Sequence, residues 1–148
     1  MSSTINILGH FHPALVHFPI ALLTVGAICE VFAVSKGMRQ RSTIGRALLL
    51  FGFFAAGAAA LSGLAHFDPA GYQGRTLDVA LVHRVLGLTS LGLATFTALA
   101  GGFQRSPGPQ GPQLWIYRLL YATTAGVVGL TGHYGGWVVF GWGQIWTF

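Results

Sequence analysis

The side chains able to do chemistry in this 148-residue chain are few: six histidines, three carboxylates and one cysteine. The histidines are His10, His12, His17, His66, His83 and His133. Neutral imidazole binds haem iron, copper and zinc, so histidines gathered at one place would make a redox or metal centre. The carboxylates, Glu30, Asp68 and Asp78, form no pattern for paired acid–base work, and no Ser-His-Asp arrangement is visible. Cys29 lies alone inside an apolar run, which excludes an internal disulfide, and there is no C-x-x-C-H attachment site. A haem in this chain would be held without covalent bonds to cysteine.

The surroundings of these groups are apolar. Residues of the apolar set make up 53% of the chain and charged residues 7%, where a soluble domain carries about 25% charged. A mean hydropathy of +0.63, with 22 glycines and 11 phenylalanines, excludes both an ordinary water-soluble globule and a disordered chain. The composition is that of a polytopic membrane protein whose helices pack through small residues. The net charge of +5 is expected to set topology rather than to bind nucleic acid. The first residues, MSSTINILGHFHP, lack the basic start of a secretory signal and run into a full-length apolar segment, so the first span is expected to be retained.

About 20 helical residues cross the hydrocarbon core of a bilayer. Four stretches have that size: residues 13–34, 44–66, 77–100 and 114–133. Pro13 suits a first helical turn, Asp68-Pro69 closes the second stretch, Thr76 is the expected N-cap of the third, and Gly135-Gly136 is expected to end the fourth. The linker 101–113 carries Pro107, Pro109 and Pro112 and reads as an extended loop. Rows of small residues at four-residue spacing (Gly52, Ala56, Ala60; Ala55, Ala59, Gly63; Ala122, Gly126; Ala125, Gly129) predict close helix contacts. The expected fold is all-α, a single-domain integral membrane four-helix bundle.

Lys36, Arg39, Arg41 and Arg46 flank the first loop and Arg105 and Arg118 the third, against Arg75 and Arg84 at the second. The positive-inside rule then puts loops one and three in the cytoplasm and both termini outside. All six histidines fall at the outer ends of the four stretches. Counting turns places His17 and His83 at similar depth in the upper bundle, and they are the expected ligand pair. His66 and His133 belong to last turns nearer the headgroups, His12 reads as a cap or surface residue, and His10 as outside the membrane. Gly87 lies four residues after His83 and Gly129 four before His133, room for a flat macrocycle, which points to haem b between imidazoles. Copper or zinc held by three or four of these imidazoles is the other metal option.

Glu30 is the one acid inside a span. It could carry a proton, bind a quinone headgroup, or pair with Arg118 or Arg46. Asp78 could orient an imidazole or cap the third span. The C-terminal residues 135–148, with Trp137, Trp142 and Trp146, read as an aromatic tail lying in the outer interface.

The opening HPALVHFPI at residues 12–20 resembles a bacterial family of small four-span membrane proteins, a domain of unknown function that begins with HP-x-x-VHFPI. Glu30, the run His83-Arg84-Val85-Leu86-Gly87 and the run Gly132-His133-Tyr134-Gly135-Gly136 resemble the branch often joined to c-type cytochrome domains. The resemblance runs over nearly the whole chain. It implies redox company and a cofactor role for His12, His17, His83 and His133. This chain departs from the pattern at Val85, where similar proteins have Trp, and at Phe140, where they have a further histidine, while His66 is outside the pattern. The combined expectation is a bacterial inner-membrane electron carrier or complex subunit. It would hold one haem b near the periplasmic face and pass electrons between a quinone or other membrane redox subunits and a periplasmic c-type cytochrome. The alternative is a cofactor-free structural subunit packed in a larger membrane complex.

Overall fold

The computed structural model describes residues 9–141, and every regular element among them is helical. A four-residue helical turn, His12–Leu15, leads into α1, His17–Ser35. Helix α2 is Thr43–His66, a 3₁₀ turn covers Pro69–Gly71, α3 is Arg75–Thr97 and continues as a π-helical turn through Ala98–Gly102, and α4 is Gly111–Phe140. Each helix packs on its sequence neighbour and α4 returns to pack on α1, so the four close into a bundle.

Three helical stretches are long and apolar enough to cross a membrane: His12–Ser35, Thr43–His66 and Arg75–Gly102, with mean hydropathies of 2.0, 2.0 and 1.5. Helix α4 is the longest, at 30 residues, about 45 Å. Its five glycines from Gly126 to Gly136, with Tyr117, Arg118, Tyr121 and His133, dilute its apolarity, and it is not among the three.

The break at Val16 has a chemical cause. Pro19 has no N–H to give to Leu15, so the ladder is interrupted one turn before it. Helix α2 is capped by Ser42, whose Oγ accepts from Gly45 N at 3.0 Å. Helix α3 starts at Gly74 rather than Thr76. Gly74 has a φ of +51°, a left-handed conformation that glycine takes without a Cβ penalty.

Buried positions on α2 are Gly45, Leu49, Gly52, Ala56, Ala59 and Ser62, a spacing of three and four that turns one stripe inward. Where α1, α2 and α4 converge, Gly26 leaves room for the Tyr121 phenol, which donates to Gly45 O at 3.0 Å. Leu23, Leu49, Leu114, Tyr117 and Val128 complete the core. Of the rows expected on α4, Ala122 and Gly126 point outward, and in the other Ala125 packs against the core while Gly129 is exposed, because the inward stripe is Leu114, Tyr117, Tyr121, Thr124 and Val128.

A polar seam runs between α3 and α4. His83, Ser90 and Thr97 repeat every seven residues on α3, and Tyr117, Thr124 and Thr131 do so on α4. Ser90 Oγ meets Thr131 Oγ1 at 3.0 Å, and Thr97 Oγ1 meets Thr124 Oγ1 at 2.9 Å. In a bundle where apolar contact gives little drive for association, such hydroxyl pairs hold two helices in register. At the far end the π turn frees carbonyls, and two arginines collect them: Arg41 donates to Gly101 O and Gln104 O, and Arg46 Nε to Gly102 O at 2.8 Å.

Candidate functional site

Four imidazoles line one cavity of about 410 Å³ at the end of the bundle where α1 and α3 begin and α2 and α4 end. They are His12, His17, His66 and His83. The ring of His12 lies 6.2 Å from that of His83, centre to centre, and 6.3 Å from that of His66.

The hydrogen bonds of three of these rings fix their chemistry. His12 Nδ1 donates to Ala59 O at 3.1 Å and lies 3.0 Å from Ser62 Oγ, which itself donates to Ala59 O. His83 Nδ1 donates to Thr131 O at 2.9 Å, and His17 Nδ1 to Pro13 O at 2.6 Å. A carbonyl oxygen only accepts, so in each ring Nδ1 carries a proton, and the neutral form of the ring has its lone pair on Nε2. This is how proteins orient a ligating histidine: one nitrogen is tied to a carbonyl and the other left to the metal.

Two glycines seat the rings. A Cβ on Gly63 would stand 2.8 Å from Cε1 of His12, and one on Gly135 would stand 3.0 Å from Cε1 of His83. The cavity rim is cationic and aromatic. The Arg84 guanidinium lies over the Phe67 ring at 4.8 Å, and Phe67 stacks on Tyr72 at 5.8 Å. Among the described residues, no three His, Cys, Asp or Glu side chains gather so as to hold an ion by themselves.

A family model for a predicted membrane protein, DUF2231, matches residues 9–144. The chain belongs to the DUF2231 family. Every helix described above lies inside the matched DUF2231 region, as do all four cavity histidines. As a DUF2231 chain it is a membrane protein, and large apolar side chains such as Phe51, Leu61 and Leu119 are exposed on its helices. No curated protein and no solved structure matches it.

The sequence reading of this DUF2231 chain paired His17 with His83. Both line the cavity, but the ring whose centre stands 6.2 Å from His83 is that of His12, which was read as a cap or surface residue. His17 is exposed on the same wall. His66 is exposed, lines the cavity, and lies under the backbone of Gly9, where a Cβ would be 3.1 Å from its Nδ1. His133 is not on the cavity wall; its ring packs 4.3 Å from Trp137 one turn later.

Of the glycines whose spacing from a histidine is expected to make room for a macrocycle, Gly87 and Gly63, the latter three residues before His66, line the cavity and Gly129 does not, having open space about it. Gly63 seats the ring of His12 rather than that of its neighbour His66, and Gly135 seats that of His83. Helix α4 runs through Gly135-Gly136 to Phe140 rather than ending there, because the packing of His83 on Gly135 and its bond to Thr131 hold that last turn against its weak propensity. Residues 135–140 are therefore helical. Trp142 and Trp146 of the expected tail lie outside the described residues.

Glu30 sits at the opposite end, 3% exposed. Its Oε1 accepts from Ser42 N at 2.8 Å and its Oε2 from Arg118 Nε at 3.3 Å, the pairing that its sequence position allowed. Arg118 also donates to Met38 O and Gln40 O. Asp78 is exposed in the first turn of α3, where a negative charge suits the helix end. Asp68 caps the 3₁₀ turn by accepting from Ala70 N at 3.0 Å.

Proposed function

We propose that this chain is a four-span electron-transfer protein or redox-complex subunit that holds haem b in the cavity at its histidine end. The observation that carries the reading is that His12, His17 and His83 line one cavity and each has its Nδ1 tied to a backbone carbonyl, with Nε2 in none of the hydrogen bonds named here. With metal–imidazole bonds of about 2 Å, two imidazoles sharing one ion have ring centres about 5 to 6 Å apart. The His12–His83 spacing of 6.2 Å is close to that. We assign these two as the ligand pair, with His17 and His66 on the wall.

A pair of imidazoles is what haem b needs, because the macrocycle supplies the other four donors. A bare copper or zinc ion asks for three or four from the protein; the His66 ring is as near to His12 as that of His83, but only His12 and His83 have Nδ1 tied to a carbonyl of a facing helix, and that pair is what favours haem. The bound group would supply reversible one-electron chemistry. The protein contributes what surrounds it: the carbonyls of Ala59 and Thr131 hold the ring tautomers, Gly63 and Gly135 fix the ring planes, and Arg84 offers a cation at the rim for carboxylates. Helix α4 crosses beside the three apolar helices, its polar stripe turned onto α1 and α3. The cation-rich loops face the cytoplasm of a bacterium and the histidine end faces the periplasm, where a c-type cytochrome could exchange electrons with a quinone-linked membrane partner.

The test is a dithionite-reduced minus oxidised absorption spectrum of the detergent-purified protein, with metal analysis on the same sample. A sharp α band with stoichiometric iron supports the reading. A flat spectrum after adequate haem supply overturns it; copper or zinc in that sample then points to a bare-ion site, and no metal to a packing subunit.

A further inference from the structure

The charges of the chain divide unevenly between its two ends. At the end opposite the cavity, Lys36, Arg39, Arg41, Arg46, Arg105 and Arg118 surround a single acid, Glu30. This balance equals the whole net charge of +5, while Arg75 and Arg84 at the histidine end are matched by Asp68 and Asp78. Three of the six cations are held by backbone carbonyls: Arg41 and Arg46 on the π turn and loop, and Arg118 on Met38 O and Gln40 O. Carbonyls orient a guanidinium without neutralising it. Of these three only Arg118 has a carboxylate partner, Glu30, so the fold fixes more positive charge at this end than it compensates.

A pocket of about 410 Å³ opens in this cationic end, between the end of α1 and the start of α4. Arg39 and Arg118 line it with the amide-bearing Gln110, and the Arg118 guanidinium lies 5.4 Å from the Trp115 ring centre. Arg39 is exposed and outside every hydrogen bond named here. Arg118 Nη1 is committed neither to Glu30 nor to the two carbonyls, which take Nε and Nη2. The remaining wall is apolar, with Val34, Met38, Leu114 and Trp115, and it continues onto the lipid-facing side chains Val31 and Leu119.

We propose that this pocket binds the phosphate of an anionic phospholipid, with Arg39 and Arg118 as its partners. Guanidinium is the group of choice for phosphate oxygens, and basic pockets between membrane helices on the cytoplasmic side take anionic headgroups. The apolar wall selects a lipid over a free anion, because it offers the acyl chains a continuous path from the headgroup down α1 and α4.

Native mass spectrometry of the purified protein in neutral detergent tests this with phosphatidylglycerol, phosphatidylcholine of the same acyl chains, and inorganic phosphate. We expect phosphatidylglycerol to bind about tenfold more tightly than phosphatidylcholine. Arg39→Gln should remove most of that preference, and Lys36→Gln, which deletes one charge at the same end but off the pocket wall, should change it less than about threefold. Equal binding of the two lipids overturns the proposal, as does an equal effect of the two substitutions. Inorganic phosphate competing at the affinity of the lipid would make this a free-anion site and end the lipid assignment. Both substitutions lie on exposed side chains, so the folded protein remains available for each comparison.

Discussion

The ring of His12, from the helical turn before α1, stands 6.2 Å from the ring of His83 on α3, and each is tied through Nδ1 to a carbonyl on the helix that faces it, Ala59 of α2 for the first and Thr131 of α4 for the second. The turn before α1 and the helices α2, α3 and α4 therefore meet at this pair. Both residues line one cavity, and substitutions can separate this pair from the other histidines around it.

His12→Ala and His83→Ala should each abolish the reduced α band of the haem-loaded protein while leaving its helical circular dichroism in place. His17→Ala should keep most of the band, because that ring lies exposed on the wall. A band lost in His17→Ala and retained in His12→Ala would restore the His17–His83 pairing expected from turn counting.

The glycine seats give an independent check. Gly135→Ala and Gly63→Ala put a methyl group 3.0 Å from Cε1 of His83 and 2.8 Å from Cε1 of His12. Overpacking of this kind costs about 1–3 kcal/mol, so each should lower the melting temperature in detergent and weaken the α band. Gly57→Ala, with nothing within 4 Å of the added carbon, should leave the band alone and gain about 0.5–1 kcal/mol of helix stability. Identical behaviour of all three would show that the seats do not matter.

Glu30 and Arg118 are 3% and 8% exposed. Glu30→Ala leaves the guanidinium buried without its carboxylate, a loss of about 3 kcal/mol for a buried pair. Glu30→Gln keeps an acceptor for Ser42 N and should cost less. Equilibrium unfolding in mixed detergent reads the difference, and a Glu30→Ala protein as stable as the parent would contradict the structural role given to this pair.

Thr97 and Thr124 form the most deeply buried hydroxyl pair of the seam, both fully buried. A double-mutant cycle with Thr97→Val and Thr124→Val should return a coupling of about 0.6 kcal/mol, the usual worth of an interhelical hydrogen bond in a membrane bundle. Strict additivity would mean that each hydroxyl serves only its own helix, through Leu93 O and Leu120 O.

The helices were legible in the sequence because length and apolarity are local properties; residues 44–66 against Thr43–His66 is the clearest case. The pairing of Glu30 was legible only as far as Arg118 or Arg46, since one acid among six cations leaves the choice of partner to the fold. The place of His12 was not. Just ahead of Pro13 it reads locally as a cap or surface residue, whereas the fold sets its ring against Gly63 of α2 and 6.2 Å from that of His83. Gly135-Gly136 misled in the same way: as local signals they stop a helix, but as a seat for His83 they extend it. The small-residue row of α4 misled because four-residue spacing occurs on every face of a helix, and only Tyr117, Tyr121 and Thr124 reveal which face is inside.

The uneven charge of the two ends also makes the molecule respond to voltage. An elementary charge moved through a membrane potential changes energy by about 2.3 kcal/mol per 100 mV. In an energised bilayer, negative on the side of the six cations, an excess of five charges favours that orientation over its inverse by about 10 kcal/mol. The same field then drops along the bundle from the histidine cavity toward Glu30. On the proposed reading, an electron leaving a haem in the cavity for water on the positive side would avoid crossing that field, and one coming from the opposite face would be drawn toward the cavity by it.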